Sequence, residues 1–181
     1  MRMVLLGAPG VGKGTQATFL CKRHGWKHLA TGDMLREGIA EGTLLGLKAK
    51  EAMSRGDLVE DDVILELIEK TLGGIKGAGY VLDGFPRTLA QARGLDEMLE
   101  KRAENLDRVV LLTADTEVVV ERMVLRGRVD DTPETVRHRL EVYENSTRPL
   151  IGFYEPKGIL RRVDGVGKIE EIHERIESAL A

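Results

Sequence analysis

The sequence predicts an α/β fold in three layers, a parallel five-stranded sheet with helices on both faces. Two observations predict it. Short apolar runs recur along the chain with helix-length stretches between them, the pattern of crossover units rather than hairpins. A glycine-rich loop directly follows the first run and opens a helix, as a phosphate-binding strand–loop–helix unit requires. The composition suits a single domain. A chain of 181 residues, 42% hydrophobic and 31% charged, has the make-up of a soluble globule and not of a disordered segment.

The elements follow in order. Met3–Leu6 is the first run, and the residues before the loop are too few for a signal peptide, so they read as strand. A helix is expected from about Lys13 to His24, and Leu29 with Ala30 fits a further short strand. From about Thr31 to Leu72 there is no strand pattern, only helical patterns broken by Gly38, Gly42, Gly46 and Gly56, which reads as a small helical subdomain. Asp33 is a candidate cap there. Tyr80–Leu82, bounded by Gly79 and by Asp83-Gly84, then Val109–Leu112 and Leu160–Val163, complete the sheet. Asp115 is expected to cap a helix carrying Glu121 to Arg126, and Gly127–Thr132 is a short polar loop. Thr132 and Pro133 look like the cap and first turn of a helix through Glu134–Glu144.

Charge and cysteine content narrow the function. Lys plus Arg is 27 and Asp plus Glu is 30, a net charge of −3, so nothing pulls the chain toward nucleic acid or anionic lipid. The longest apolar run falls far short of a membrane span. One cysteine, Cys21, excludes an internal disulfide and a Cys-rich zinc site; it reads as a small buried hydrophobe. His24, His28, His138 and His173 lack metal-ligand spacing and read as surface or structural. No G-x-S-x-G stretch supports hydrolase chemistry.

The segment Gly7-Ala-Pro-Gly-Val-Gly-Lys-Gly-Thr15 fits the G-x-x-x-x-G-K part of a P-loop. Glycines at 7, 10, 12 and 14 let successive backbone N–H groups curl around phosphate oxygens, and the helix N-terminus adds about half a positive charge. Lys13 can bridge the terminal phosphates. Gly14 follows the lysine, so the hydroxyl comes one position later than in the general pattern, at Thr15. Asp83, at the carboxyl end of an apolar run, lies where such sheets bind ligands; beside a P-loop its natural partner is Mg²⁺, directly or through water. Between Arg102 and Pro156 there are arginines at 102, 108, 122, 126, 128, 137, 139 and 148 and no lysine. Bidentate phosphate recognition favours that choice, because the guanidinium is a fixed fork. Arg122 and Arg126 share a helix face; Arg139 borders the apolar face of the next helix, while Arg137 suits solvent. Pairing with Asp130, Asp131 or Glu134 is the structural alternative. Arg36 and Arg87 sit beside turn chemistry, Arg87 after the rigid Gly84-Phe-Pro86.

These residues match a known family. The chain resembles the nucleoside monophosphate kinases, and within them the adenylate kinases, over essentially its whole length. The resemblance rests on Gly7–Gln16, Thr31-Gly-Asp-Met-Leu-Arg36, Gly56-Asp-Leu-Val59, Asp83-Gly-Phe-Pro-Arg87 with Gln91, and Arg126-Gly-Arg-Val-Asp-Asp131. The family also uses Lys-Gly-Thr, which accounts for the displaced hydroxyl. It implies a core of 1–29, 60–124 and 132–181, a helical NMP-binding insert at 30–59, and a short lid at 125–131. Longer lids with a four-cysteine zinc site exist in the family; this chain lacks that insertion, so no zinc is expected.

By the same resemblance, Gly10, Val11, Gly12, Lys13, Gly14 and Thr15 hold the ATP phosphates. Arg122 lies over the adenine, Arg126 contacts the phosphates, and the backbone near Gly167 meets the adenine. On the acceptor side, Thr31, Arg36, Asp57, Leu58, Val59, Gly84, Phe85, Pro86, Arg87 and Gln91 hold AMP. Arg128 and Arg139 clamp its phosphate and the transferring group, and Asp83 and Thr15 organise Mg²⁺. Lys13, Arg87, Arg122, Arg126, Arg128 and Arg139 form the catalytic set. The implied reaction is MgATP + AMP ⇌ 2 ADP, in a cytoplasmic protein acting on ATP, AMP and ADP; the sequence shows no coiled-coil seam or large apolar stripe, so a monomer is expected. Insert and lid are expected to close, because water in the site would hydrolyse ATP. Two other functions fit the motifs less fully. One is a UMP/CMP kinase, which shares the P-loop and arginines but tends to differ at the positions of Thr31 and Gln91. The other is a nucleotide-gated binding module, against which the second clamp of Arg36 and Arg87 argues.

Overall fold

Successive residues of the first strand point to opposite faces, and that alternation builds the layers. In the computed structural model, which describes residues 1–75, 77–128 and 131–181, β1 (Arg2–Leu6), β2 (Lys27–Ala30), β3 (Tyr80–Asp83), β4 (Arg108–Thr113) and β5 (Leu160–Asp164) form one sheet in the order β2-β3-β1-β4-β5. Every pairing is parallel. On one face Met3, Leu5, Val81, Val110, Leu112 and Val163 pack against α1 (Lys13–His24) and α9 (Ile169–Leu180), through Ala17, Leu20, Ile172 and Ile176. On the other face Val4, Leu6, Leu82, Val109 and Leu111 pack against α4 (Asp61–Gly73) and α5 (Leu89–Lys101), through Ile64, Ile68, Leu95 and Leu99. Each such side chain removed from water contributes about 1.5–3 kcal/mol. This is the expected three-layer α/β fold with a parallel five-stranded sheet.

The register places the site. Leu5 pairs with Asp83, Leu6 with Leu111, and Ala30 with Asp83. The loop after Leu6, the turn after Asp83 and the start of α2 (Thr31–Glu41) therefore share one edge of the sheet. Ligands of open α/β sheets bind at that carboxyl edge.

The stretch after β2 is helical as expected: α2, α3 (Leu44–Arg55) and α4. Its glycines divide into two kinds. Gly42 and Gly56 follow α2 and α3 as their C-caps. Gly38 and Gly46 break nothing; they sit inside the helices at their crossing, where a Cβ on Gly46 would lie 2.1 Å from the carbonyl carbon of Gly38. Gly46→Ala must push α2 and α3 apart. It is expected to cost about 1–3 kcal/mol and to lower Tm by roughly 2–10 °C, measured by thermal melting.

Further along, α6 (Thr116–Arg126) and α7 (Pro133–Val142) flank the expected lid; Val129 and Asp130 of that lid lie outside the described residues. Thr132 caps α7 through the Thr135 N–H, with Pro133 in the first turn, as expected. The helix ends earlier than Glu144, passing into a π-helical turn at Tyr143–Thr147 and then α8 (Leu150–Tyr154). Two expected caps are corrected. Asp115 occupies the cap position of α6 but its side chain makes no capping bond. Asp33 lies inside the first turn of α2, whose cap position is Ala30, because its carboxylate is engaged by Arg36 instead. Cys21 is half-buried against the α1–α9 core, and burial pushes its thiol up to about 11. No helix among the described residues is long and apolar enough to cross a membrane.

Candidate active site

The loop between β1 and α1 leaves the sheet where a side chain cannot follow. At Gly10, φ is +86° and a Cβ would meet the Val119 carbonyl oxygen and Met123 Cγ at 2.6 Å, so glycine alone fits between the loop and α6. The first amides of α1 have no partner within the helix and face the cleft. Lys13 arches back over the loop and donates through Nζ to the carbonyls of Gly7 (2.7 Å) and Ala8 (2.9 Å). Loss of water around its ammonium lowers the pKa to about 8, with Asp83 pulling it up and Arg87 and Arg126 pushing it further down.

Asp83 stands at the end of β3, opposite Lys13. Its Oδ2 lies 3.2 Å from Nε2 of His28 on β2. Burial pushes the carboxyl up, but the His28 bond and the charges of Lys13 and Arg87 outweigh it and hold it below the usual carboxylate range. It is therefore ionised at neutral pH. The Asp83 carboxylate and the Thr15 hydroxyl line the same cleft as the phosphate cradle, and both are hard oxygen donors of the kind that suits Mg²⁺. Among the described residues no group of three or more His, Cys, Asp and Glu side chains is arranged to hold a metal by itself.

A single cleft of about 810 Å³ runs from this cradle to the loop after α3. The residues expected to bind nucleotide or metal all line it, with the exception of Phe85 and Pro86. Phe85 is fully buried in the core beneath, and Pro86 lines a side chamber of about 80 Å³ behind Arg87 and Arg139. The side chains of these two lie off the main cleft, in the turn that carries Arg87.

Two carboxylates hold four of the arginines. Asp131, its side chain fully buried, accepts three bonds from Arg126 (2.9 and 3.0 Å to Oδ2, 3.0 Å to Oδ1) and one from Arg139 (2.8 Å to Oδ1). Asp33 accepts from Arg36 at 2.5 Å and pairs with Arg128 at 3.6 Å across the mouth of the cleft. Arg122 donates to the carbonyls of Val11 (3.0 Å) and Gly165 (2.9 Å), tying the phosphate loop to the loop before α9 that contains Gly167. Arg87 donates from Nε to the Gly84 carbonyl at 2.7 Å. The crowding of protein around it lowers its pKa; Asp83 opposes that shift, and Arg139 and Arg36 add to it. Arg137 is exposed and lies outside the cleft.

Beside Asp83, Thr31 is buried and its hydroxyl donates to the Asp83 carbonyl at 3.2 Å. The turn at Gly56–Val59 is pinned by Asp57, which accepts from Nε2 of His138 (2.6 Å) and from Arg55 (2.9 Å); these bonds, that of His138 first, hold its carboxyl low. Sequence reasoning leaves out four residues here. His28 and His138 each reach an aspartate on a distant segment. Gln16 is buried on α1 and donates to the Ile169 carbonyl at 2.9 Å. Asp61 bonds to Gln91. None carries a local signal, since each contact spans 55 to 153 residues or joins two helices.

Comparison with known proteins agrees with this geometry. A family model described as adenylate kinase matches residues 5–159. A protein of Xanthomonas euvesicatoria pv. vesicatoria (strain 85-10), named adenylate kinase, is 55% identical over 99% of each chain. One of Synechococcus sp. (strain WH7803), also named adenylate kinase, is 47% identical over 99% of this chain and 98% of its own.

Proposed function

The chain belongs to the adenylate kinase family and has adenylate kinase function, a phosphotransferase acting on nucleoside monophosphates; from that premise we propose that it moves the terminal phosphoryl group of MgATP to AMP, giving two ADP. The observation that carries this reading is one cleft lined both by a phosphate cradle with Lys13 and by Arg36, Arg87, Gln91, Arg126, Arg128 and Arg139, with Arg87 near enough to Lys13 and Asp83 to act on the charge of each. Two sets of phosphate-binding groups meeting in one cavity suit two nucleotides lying phosphate to phosphate.

The chemistry needs alignment more than proton transfer. A phosphate monoester has a second pKa of ~6, so the attacking oxygen of AMP is already ionised near neutral pH. That oxygen bonds to the γ-phosphorus of ATP, the bond from that phosphorus to the β,γ-bridging oxygen breaks, and the electron pair leaves on ADP. Both reactants are polyanions, and the protein's task is to hold them in line and neutralise charge. Lys13 and the loop amides hold the donor phosphates. Arg36 and Arg87 hold the acceptor phosphate, and Arg126, Arg128 and Arg139 surround the group in flight. Asp83 and Thr15 would hold Mg²⁺, which when bound supplies further neutralisation of the donor phosphates. We assign 30–59 as the acceptor-binding insert and 125–131 as the short lid, closing over the cleft to exclude water.

A coupled assay with AMP, UMP, CMP and GMP as acceptors tests the reading. Strong preference for AMP is expected. Preference for UMP or CMP returns the pyrimidine alternative, and ATP hydrolysis with no acceptor transfer returns the binding-module alternative. The same assay gives a pH prediction. In the free enzyme Lys13 loses its charge near pH 8, so kcat/KM for ATP falls above that pH. In the complex the phosphates keep Lys13 charged, so the limb in kcat lies higher. Stability moves the other way: between about pH 8 and 10.5 the unfolded chain binds more protons at this residue, and its contribution to stability rises with pH. A kcat/KM flat to pH 9.5 contradicts the assignment.

A further inference from the structure

The amide of Gln91 lines the acceptor end of the cleft, and both of its ends are fixed from behind. The backbone N–H of Arg87 can act only as a donor, and it lies 2.7 Å from Gln91 Oε1. The carboxylate of Asp61 can act only as an acceptor, and its Oδ1 lies 2.8 Å from Gln91 Nε2. Together these partners allow one orientation of the amide, because turning it over would set a carboxylate against Oε1 and an N–H against the amide nitrogen. Thr88 completes the brace: its hydroxyl donates to the same Asp61 oxygen at 2.9 Å and accepts from the Gln91 backbone N–H at 3.1 Å. Asp61 sits in the first turn of α4, where the helix favours a negative charge.

We propose that Asp61 is a positioning residue for acceptor-base choice, fixing through Gln91 which amide atom donates and which accepts. The proposal rests on the acceptor-side assignment of Gln91. After its two partners are met, the amide keeps one N–H and one lone pair. On its Watson–Crick edge adenine offers an amino donor beside a ring-nitrogen acceptor. Hypoxanthine offers the reverse, a carbonyl acceptor beside a ring N–H donor. An amide held one way suits the first pattern, and the same amide turned over suits the second. Asp61 therefore acts against 6-oxopurine monophosphates without touching the nucleotide.

The test is kcat/KM for AMP and for IMP, with ATP as donor, in the native enzyme and in Asp61→Asn, Asp61→Ala and Gln91→Leu. Both Asp61 variants are expected to reduce the AMP/IMP ratio roughly tenfold, as loss of one charge-assisted hydrogen bond would, with KM for ATP unmoved. Asp61→Asn keeps the shape but can set either its oxygen or its amide nitrogen where Thr88 and Gln91 share one carboxylate oxygen, so it no longer fixes the amide one way; it carries the test should Asp61→Ala fail to fold. Equal losses on both acceptors, with the ratio unchanged, would mean that Asp61 only braces α4 against α5, and the proposal falls while the reading of Gln91 stands. If Gln91→Leu leaves the ratio unchanged, or the native enzyme does not prefer AMP, the assignment of Gln91 falls first and the role of Asp61 with it.

Discussion

Lys13→Met is expected to lower kcat by about a hundredfold to a thousandfold, the usual cost of deleting one donor aimed at charge developing in a transition state, while Tm stays within about 4 °C of native. The two halves of this result have separate causes. Among the described residues the ammonium bonds only to the loop carbonyls of Gly7 and Ala8, and it is held among Arg87, Arg126 and a shell of protein that lowers its pKa to about 8. At pH 7 the charged form is present in both folded and unfolded chains, so the folded protein bears the full cost of holding that charge away from water. Methionine has similar length and no charge, and it relieves this cost as it forfeits the two bonds. Activity has no such compensation, because nothing else in the loop carries a full positive charge to the donor phosphates. Circular dichroism melts and steady-state kinetics on one preparation check both halves. Near-native turnover would remove Lys13 from the catalytic set.

Arg87→Lys is expected to cut kcat/KM for AMP about a hundredfold and to leave KM for ATP close to native. The substitution keeps the charge, so it isolates geometry. Arg87 uses Nε to fix itself on the Gly84 carbonyl at 2.7 Å, which leaves the terminal nitrogens of its planar fork for two phosphate oxygens. An ammonium has no second, fixed set of donors; bonded to Gly84, it has to give up part of its reach. The backbone of residue 87 still supplies the N–H that holds Gln91, so base choice should survive while phosphate binding fails. Acceptor profiles with AMP and IMP separate the two. A loss spread equally over ATP and AMP would argue for a general disturbance of the cleft.

How far the sequence carries varies with the range of each interaction. The limits of α1 are legible to the residue, because a glycine loop precedes Lys13 and Gly25 follows His24. The apolar runs at Tyr80 and Val109 are legible because those strands are buried on both faces. Only half of β2 is visible: Lys27 is exposed and His28 half-exposed, as befits an edge strand, and periodicity then identifies only Leu29 and Ala30. The cap assigned to Asp33 fails for a related reason. The residue type suits a cap, but an arginine three positions on competes for the same carboxylate, and no local rule says which partner wins. Most cleft residues were readable because glycines, lysine and arginines form local motifs with one chemical meaning. His28, His138 and Asp61 were not, because their meaning comes from which distant segment the fold brings beside them.

The order of strands in the sheet has a consequence for biosynthesis. β1 is made first, yet both of its neighbours, at Tyr80–Asp83 and Arg108–Leu111, are made far later. At ribosomal speeds of about 5–20 residues per second, the opening strand waits roughly 5–20 s for partners. Through that interval its Val-Leu-Leu edge has no sheet to join, and the nascent chain cannot complete its centre until well over half of it has been synthesised. Chaperone engagement with this polypeptide should therefore be concentrated on stalled intermediates shorter than about 110 residues, before the fourth strand emerges.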